Sequence, residues 1–581
     1  MVSPQPDPEA TITLLTLHPS VDDDSPIHCD TWSVALSAEP HYEALSYVWG
    51  DPAKSAILRL NGQQVQVSQN LSAALRHLRT ADAALILWID QLCIDQQNAL
   101  EKSRQVRLMR HIYSKCSLCH VWIGEIPDDV TLDNARWIFE AFEYMADYHT
   151  AGNSECKPLP SLLAQVDDYE GKCRALSSLA GGDKSRQQVS WWFRIWTIQE
   201  AILPPDLRFM WGSLSIPLRI ISPAVLSLTT GHSHPALYPF VRNPQIRVRW
   251  DILVANFAWI HDVKLKPVGV LSRMFLWRHR YATDPRDKAY AILGLCPKGA
   301  LPRTEQCDYE LPVSRVFANL TIDLILLEKY LRPLAADLKS KKSTSMPGWT
   351  FNVSHNCDYE TDWHYLYSYD YYSACGSRKL DCQAFEKRMA HEPDALQIPG
   401  SHADFIACVI GAPMVHNRHD ELTNKDYQEC LENWRRISEE YCCNKLTFWE
   451  DFGRTMLGDL IRKHNQRVER RVTTDDVSNL YDFITKNIGT DVFKQTIRRN
   501  IGNQVFFVTD KGMLGLGYMD TKVGDEIWIL DGGNMPFTLR RSNLDEVDFD
   551  YGGKCYIHGL MSGEFMAARE GEMERFMVRM H

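Results

Sequence analysis

Two short, almost wholly apolar runs, LILWID at 85–90 and CHVWIG at 119–124, constrain this chain more than any other feature. A strand with one wet face alternates apolar and polar residues, whereas a strand covered on both faces does not need to. Both runs lie among stretches of helical periodicity. Asn70 is expected to cap a helix whose stripe is Leu71, Ala74, Leu75 and Leu78. Asn98 and Glu101 have capping-box spacing ahead of a helix carrying Val106, Met109, Ile112 and Tyr113, and a further helix is expected near 132–148. Upstream, TITLLTL (11–17), TWSVALS (31–37) and EALSYVW (43–49) read as strands, and AILRL and QQVQVS flank Asn61-Gly62 as a tight hairpin. Strand and helix in alternation imply a parallel sheet with helices on both faces.

Ligands of such sheets sit beyond the carboxyl ends of the strands. The rule points to Ser46, Tyr47, Trp49, Gly50 and Asp51 after one strand and to Asp90, Gln91, Cys93 and Asp95 after another. For Asp51 and Asp95, turn formation is an equal explanation. The segment WWFRIWTIQE (191–200) is expected to be a packed helix with the stripe Trp192, Ile195, Trp196, Gln199 and Leu203. Glu200 would then share a face with Trp196 and Phe193. Two readings of that carboxylate are open: a helix-end charge that leans into solvent or pairs with Arg194, and a desolvated functional acid.

The chain has 581 residues, which implies two to four domains. Its net charge of -11 argues against a nucleic-acid partner, which would call for a basic face. No apolar run reaches the length of a membrane span, and the first residues carry no basic, then apolar, secretory pattern. The 16 cysteines follow no repeating spacing, so reduced thiols in the cytoplasm are expected. CSLCH (116–120) matches the haem-attachment string but runs directly into a strand, and His355, Cys357, His364, Cys375 and Cys382 gather without regular spacing, so no metal is assigned. No phosphate-binding G-x-x-x-x-G-K-[ST] occurs.

The organisation read from these patterns is an α/β domain over 1–215, a mainly helical region over 216–345, an aromatic-rich and helical region over 346–480, and a small β-barrel or sandwich over 481–581. In the last of these, glycines 512, 515 and 517 lie between short strands, with no helix after them to form a dinucleotide fingerprint.

YEALSYVWGDP (42–52), LWIDQLCIDQQN (87–98) with EKSRQVRLMRHIYSKC after it, VWIG (121–124) and WWFRIWTIQE closely resemble, in order and spacing, the signature blocks of the fungal heterokaryon-incompatibility (HET) domain family. RYATDPRDKAYAILGL (280–295), MPGWTFNVS (346–354) and the glycine-rich terminal strands look like the extended architecture of such proteins. The resemblance implies non-self recognition and programmed cell death when incompatible cells fuse. It also implies a TIR-like, flavodoxin-like sheet, since HET domains resemble TIR domains, many of which hydrolyse NAD with one glutamate. Ser190, Trp196 and Glu200 form a looser version of the TIR pattern, with Thr197 where those domains carry cysteine.

Chemistry bears on this independently. Cleaving the nicotinamide–ribose bond expels a neutral group from a cation, so it needs no general acid, unlike two-carboxylate sugar hydrolysis. One placed anion suffices to stabilise the developing sugar cation. The expected site is therefore Glu200 as catalytic carboxylate, with Ser46, Tyr47, Trp49, Gly50, Asp51, Asp90, Cys93, Asp95 and Trp196 as substrate-binding residues. NAD is substrate rather than resident cofactor. Self-association through the HET domain and a protein partner in signalling are expected by analogy. Two alternatives stand beside the enzyme: a non-catalytic signalling or assembly module, and a scaffold diverted to another small-molecule reaction, which a cavity lined by Tyr365 to Tyr372 would favour.

Overall fold

The computed structural model describes residues 10–22, 24–51, 53–150, 159–164, 168–182, 190–229, 243–265, 269–336, 346–354, 368–411, 424–442, 446–462, 469–486, 488, 491–502, 504–542, 547–568 and 574–581. They divide into two units: Met1–Arg273 with His279–Gly299 and Glu305–Glu310, and Met274–Arg278 with Ala300–Thr304 and Leu311–His581.

The first unit is built on one mixed sheet. Its strands are β1 (Thr11–Leu17), β2 (His28–Ala35), β3 (Glu43–Tyr47), β4 (Ser55–Leu60), β5 (Gln63–Ser68), β6 (Leu85–Trp88), β7 (Cys119–Gly124), β8 (Leu207–Trp211) and β9 (Leu214–Pro217), in the order β5-β4-β2-β1-β6-β3-β7-β8-β9. The four adjacent strands β6, β3, β7 and β8 are mutually parallel. Counted along the chain they stand second, first, third and fourth, so the order reverses between β3 and β7. Leu87, Trp88, Cys119, Val121 and Trp122 are fully buried, as their apolar runs require. The β4–β5 hairpin turns on Asn61 and Gly62, both at positive φ (52° and 78°), the two-residue turn that Asn-Gly favours.

Helix α1 (Gln69–Leu78) buries Leu71, Ala74, Leu75 and Leu78, but its cap differs from expectation. Ser68 accepts the Leu71 N–H, while the Asn70 side chain is taken up elsewhere, donating to Val48 O (2.6 Å) and accepting from Trp122 Nε1 (2.8 Å). Helices α2 (Asp90–Cys93) and α3 (Ala99–Lys115) follow β6, and Asn98 caps α3 by accepting from Leu100 and Glu101. Then come α4 (Leu132–Thr150), α5 (Ser161–Ala164) and α6 (Tyr169–Leu179). Cys116 and Cys119 are buried at the end of α3 and the start of β7, and His120 meets Glu43 at 2.5 Å.

Residues 191–200 do not form the single helix that their periodicity predicts. Trp191–Phe193 is a 3₁₀ turn, Arg194 is extended, and α7 covers Thr197–Ile202. Tertiary pairing wins over local periodicity: Ile195 N–H donates to Tyr281 O (3.0 Å) and Tyr281 N–H to Phe193 O (2.6 Å).

The second unit joins helices, among them Val313–Glu328, Asn424–Tyr441 and Thr474–Lys486, to a β-barrel region. Strand β10 (Leu396–Ile410) precedes the short β11 (Leu460–Arg462) and β12 (Glu469–Arg471) pair; β13 (Gln504–Thr509), β14 (Leu514–Tyr518), β15 (Glu526–Leu530), β16 (Phe537–Arg541), β17 (Asp548–Lys554), β18 (Tyr556–Ile557) and β19 (Phe576–Met580) follow. The long β10 pairs first with β19, then with β15, then with β13. Because β15, β16, β17 and β19 pair in succession, the ring closes on β10, which leaves these strands without a free edge. Gly515 and Gly517 lie against the Phe507 ring, so glycine there makes room for an aromatic side chain. Tyr369 and Tyr372 are core residues beside Trp434, Phe452 and Phe506, while 355–367 lie outside the described residues. Among the described residues no helix is long and apolar enough to cross a membrane.

Candidate functional site

The carboxyl ends of β3 and β7 flank the point where the strand order reverses, and the polar side chains of the first unit collect there. Ser46, the penultimate residue of β3, is 1% exposed. Its hydroxyl donates to Glu200 Oε2, and its oxygen accepts the indole N–H of Trp191 at 2.6 Å. Since an indole can only donate, the single Ser46 proton is committed to Glu200. The three side chains thus form a directed chain, Trp191 to Ser46 to Glu200.

Glu200 lies in the first turn of α7 and is 7% exposed. Burial pushes its carboxyl up to about 7, helped by the neighbouring Asp90 and opposed by the Ser46 hydroxyl and the charge of Arg194. The Arg194 guanidinium donates to the backbone, at Tyr47 O (3.2 Å), and acts on Glu200 through its charge and not through a direct ion pair. The helix-end ion pair that one reading of the sequence anticipated is not what holds Glu200.

A second acid, half-buried, sits beside the first. Asp90, the first residue of α2, accepts from Trp49 Nε1 (2.9 Å) and from the Gln91 N–H (2.7 Å). Burial raises its carboxyl too, while Arg194, Trp49, Gln91 and Tyr47 pull the other way. Tyr47 donates its hydroxyl to Gln91 at 2.9 Å, and burial next to Asp90 holds that phenol well above its ordinary range. Two carboxyls, one guanidinium and two indoles gather here, with Glu200 and Trp191 buried and Asp90, Arg194 and Trp49 half-buried, an environment in which proton affinity and charge are tuned.

The groove itself has a volume of about 530 Å³ and is lined by Trp49, Gly50, Asp51, Lys54, Asn70, Arg76 and Glu125 among others. It opens between the end of β3, the start of α1 and the residue after β7, at the reversal point. Gly50 adopts φ +85°, a conformation glycine holds without strain, and this turns the chain out of β3 to form the rim. Asn70 ties the rim to the sheet through Val48 O and Trp122 Nε1. Asn70→Ala leaves a carbonyl and an indole N–H without a partner, and urea unfolding is expected to show a loss of about 2 kcal/mol.

The other predicted residues have different surroundings. Asp51 and Asp95 each accept a backbone N–H two residues on, from Ala53 (2.9 Å) and Gln97 (3.0 Å), so both form turns, and Asp51 does so while lining the groove. Cys93, the last residue of α2, is buried, its sulfur accepts the Ile89 N–H, and burial pushes the thiol up to about 12, far from a nucleophile's range. Trp196 hydrogen-bonds Asp287, which also accepts the Tyr309 hydroxyl at 2.6 Å; this places its indole with the DPRDK segment and outside the Ser46–Glu200 chain. Reading the sequence missed Trp191 as the group that orients Ser46, and treated Arg194 only as an ion-pair candidate. The available signal was the Trp-Trp pair itself, one indole of which serves Ser46 and the other Leu179 O (2.6 Å).

A model of the heterokaryon incompatibility protein (HET) family matches residues 42–200, a span that begins just before β3 and ends on Glu200. A model of the Het-6 beta-barrel domain matches residues 377–578, which take in the strands of the barrel. Heterokaryon incompatibility protein 6, OR allele, of Neurospora crassa is 31% identical over 239 residues, 37% of this chain and 35% of that protein. The match thus spans about a third of the relative's length. No solved structure matches the chain.

Proposed function

We propose, from the premise that this chain is a HET-domain protein, that it acts in heterokaryon incompatibility and that its HET domain hydrolyses NAD at the nicotinamide–ribose bond. Depletion of NAD, or the products, then triggers cell death, in the cytoplasm and through self-association of the domain with a protein partner. The observation that carries the chemistry is Glu200: a buried carboxyl oriented by Ser46 and Trp191 at the strand ends of a parallel sheet. The order of β6, β3, β7 and β8 is that of flavodoxin-like sheets, which supports the TIR-like reading.

In this mechanism the ribose sits over Glu200, and the adenosine diphosphate half lies along the groove past Trp49 toward Lys54 and Arg76. The C–N bond breaks with its electron pair going to nicotinamide, which leaves neutral. Glu200 stabilises the ribosyl cation until water adds and its proton passes to solvent. The carboxylate must be ionised for this, so kcat/KM for NAD is expected to rise with pH through about 7 and then level. A rate that instead falls above that pH would assign Glu200 the role of an acid and overturn the mechanism.

One observation favours a second reading, a non-catalytic signalling or assembly module: Glu200 is buried and is not among the residues lining the groove. Absence of NAD turnover at every protein concentration, together with absence of NAD binding, would select that reading.

A further inference from the structure

A second cavity in the first unit lies along α3. It has a volume of about 190 Å³ and is lined by Val106, Arg107, Arg110, His111, Leu293, Gly294, Lys298, Glu305 and Cys307. Its chemistry is unlike that of the rest of an acidic chain. Arg107, Arg110 and His111 fall at i, i+3 and i+4, on one face of a 17-residue helix, and Lys298 faces them from the segment after helix Asp287–Leu293.

Three fixed positive charges therefore meet one carboxylate, Glu305, which is itself occupied by the Gly299 N–H at 2.9 and 3.0 Å. Among the described residues Arg107, Arg110 and Lys298 form no ion pair with a carboxylate. The two guanidinium groups are nonetheless positioned: Arg110 donates to Cys296 O (2.5 Å) and Arg107 to Gln306 O (3.4 Å). Each fork of five donors spends one of them there. Burial first, and then the charges of Arg110, Lys115 and Lys298, hold the His111 imidazole below its ordinary range.

We infer that this cavity is a binding site for a small phosphate-class dianion, either free phosphate or a phosphate monoester. Planar donor forks suit phosphate oxygens, and a point charge from lysine completes the cradle. The volume is below the roughly 300 Å³ at which sites for drug-sized ligands begin, which restricts the occupant to a phosphate group with at most a small organic body against Val106 and Leu293. One wall carries a further consequence. Gly294 lies against the Gln199 amide, with no room for a side chain between them, so the pocket abuts the helix that carries Glu200. The site is independent of the NAD reading and stands or falls by direct binding.

The test is calorimetric titration of the full chain with inorganic phosphate, in low-salt buffer free of phosphate. Saturable binding that weakens with added salt is expected. Arg107→Gln and Lys298→Gln, both at exposed positions, are each expected to weaken binding by about 3- to 10-fold, and the double variant by about 30-fold or more, at an unchanged melting temperature. Lys54→Gln, in the groove at the strand ends, is expected to leave the affinity of this cavity for phosphate unchanged. Glycerol 3-phosphate binding more tightly than phosphate would identify a monoester as the preferred ligand, and equal affinity would identify the free ion. Absence of saturable binding, equal binding by the double variant and the parent, or loss in Lys54→Gln alone would each overturn the assignment.

Discussion

Glu200→Gln is expected to lower NAD hydrolysis by about 100-fold or more, with KM changed far less than kcat. The expectation follows from where the charge acts. In the proposed mechanism Glu200 meets a positive charge that exists only as the glycosidic bond breaks, so its removal would cost the transition state more than the bound substrate. Glutamine keeps the size of the side chain and can still accept the Ser46 proton, so the variant removes charge and little else. Glu200→Ala should fall at least as far, and Ser46→Ala, which frees the carboxylate to swing, should lie between the two and the parent. The measurement is initial-rate NAD turnover over a series of protein concentrations, since assembly can control activity. Turnover in Glu200→Gln within about threefold of the parent would remove Glu200 from the chemistry.

Much of the first unit could be read from the chain because its signals are local. Two apolar runs buried on both faces, Asn61-Gly62 at positive φ, and Asn98 ahead of α3 each express a short-range preference, and each is found where expected. What failed depended on partners far along the chain. Asn70 has the chemistry of a cap, but Val48 O and the Trp122 indole compete for it and leave the cap to Ser68. Residues 191–200 have helical periodicity, but Tyr281, more than 80 positions away, takes the backbone bonds that a continuous helix would need. β10 was illegible for a related reason: it lies among helices, well ahead of the strands with which it closes the ring.

The site divides the same way. The strand-end rule brought forward Ser46, Tyr47, Trp49 and Asp90, and the structure joins these to Glu200 or to one another. It could not reveal that Trp191 orients Ser46 across 145 positions, or that Trp196 is committed to Asp287. Periodicity assigns a side chain to a face of its own element, and carries no information about which distant group will meet it there.

Glu200→Gln is also expected to stabilise the protein, and this separates a functional carboxylate from a structural one. Burial raises the Glu200 carboxyl from the ordinary 4.5 to about 7. The folded state then holds the proton more tightly than the unfolded one. Between these two values unfolding releases a proton, so stability falls as pH rises through the window and the full penalty applies above it. At about 1.4 kcal/mol for each pK step, that penalty is about 3 kcal/mol. Glutamine never ionises, so at pH 8 the variant should unfold at higher urea than the parent, by about 2–3 kcal/mol once a part of the gain is spent on the new amide hydrogens. At pH 4 the two should nearly coincide, and the decline of parent stability from pH 5 to 8 should flatten in the variant. A structural carboxylate predicts the reverse, with glutamine weaker at pH 8, where it would forfeit a charge-assisted bond. Gain of stability with loss of turnover would mean that the fold carries an ionised, desolvated acid against its own stability, which is the pattern of residues retained for chemistry.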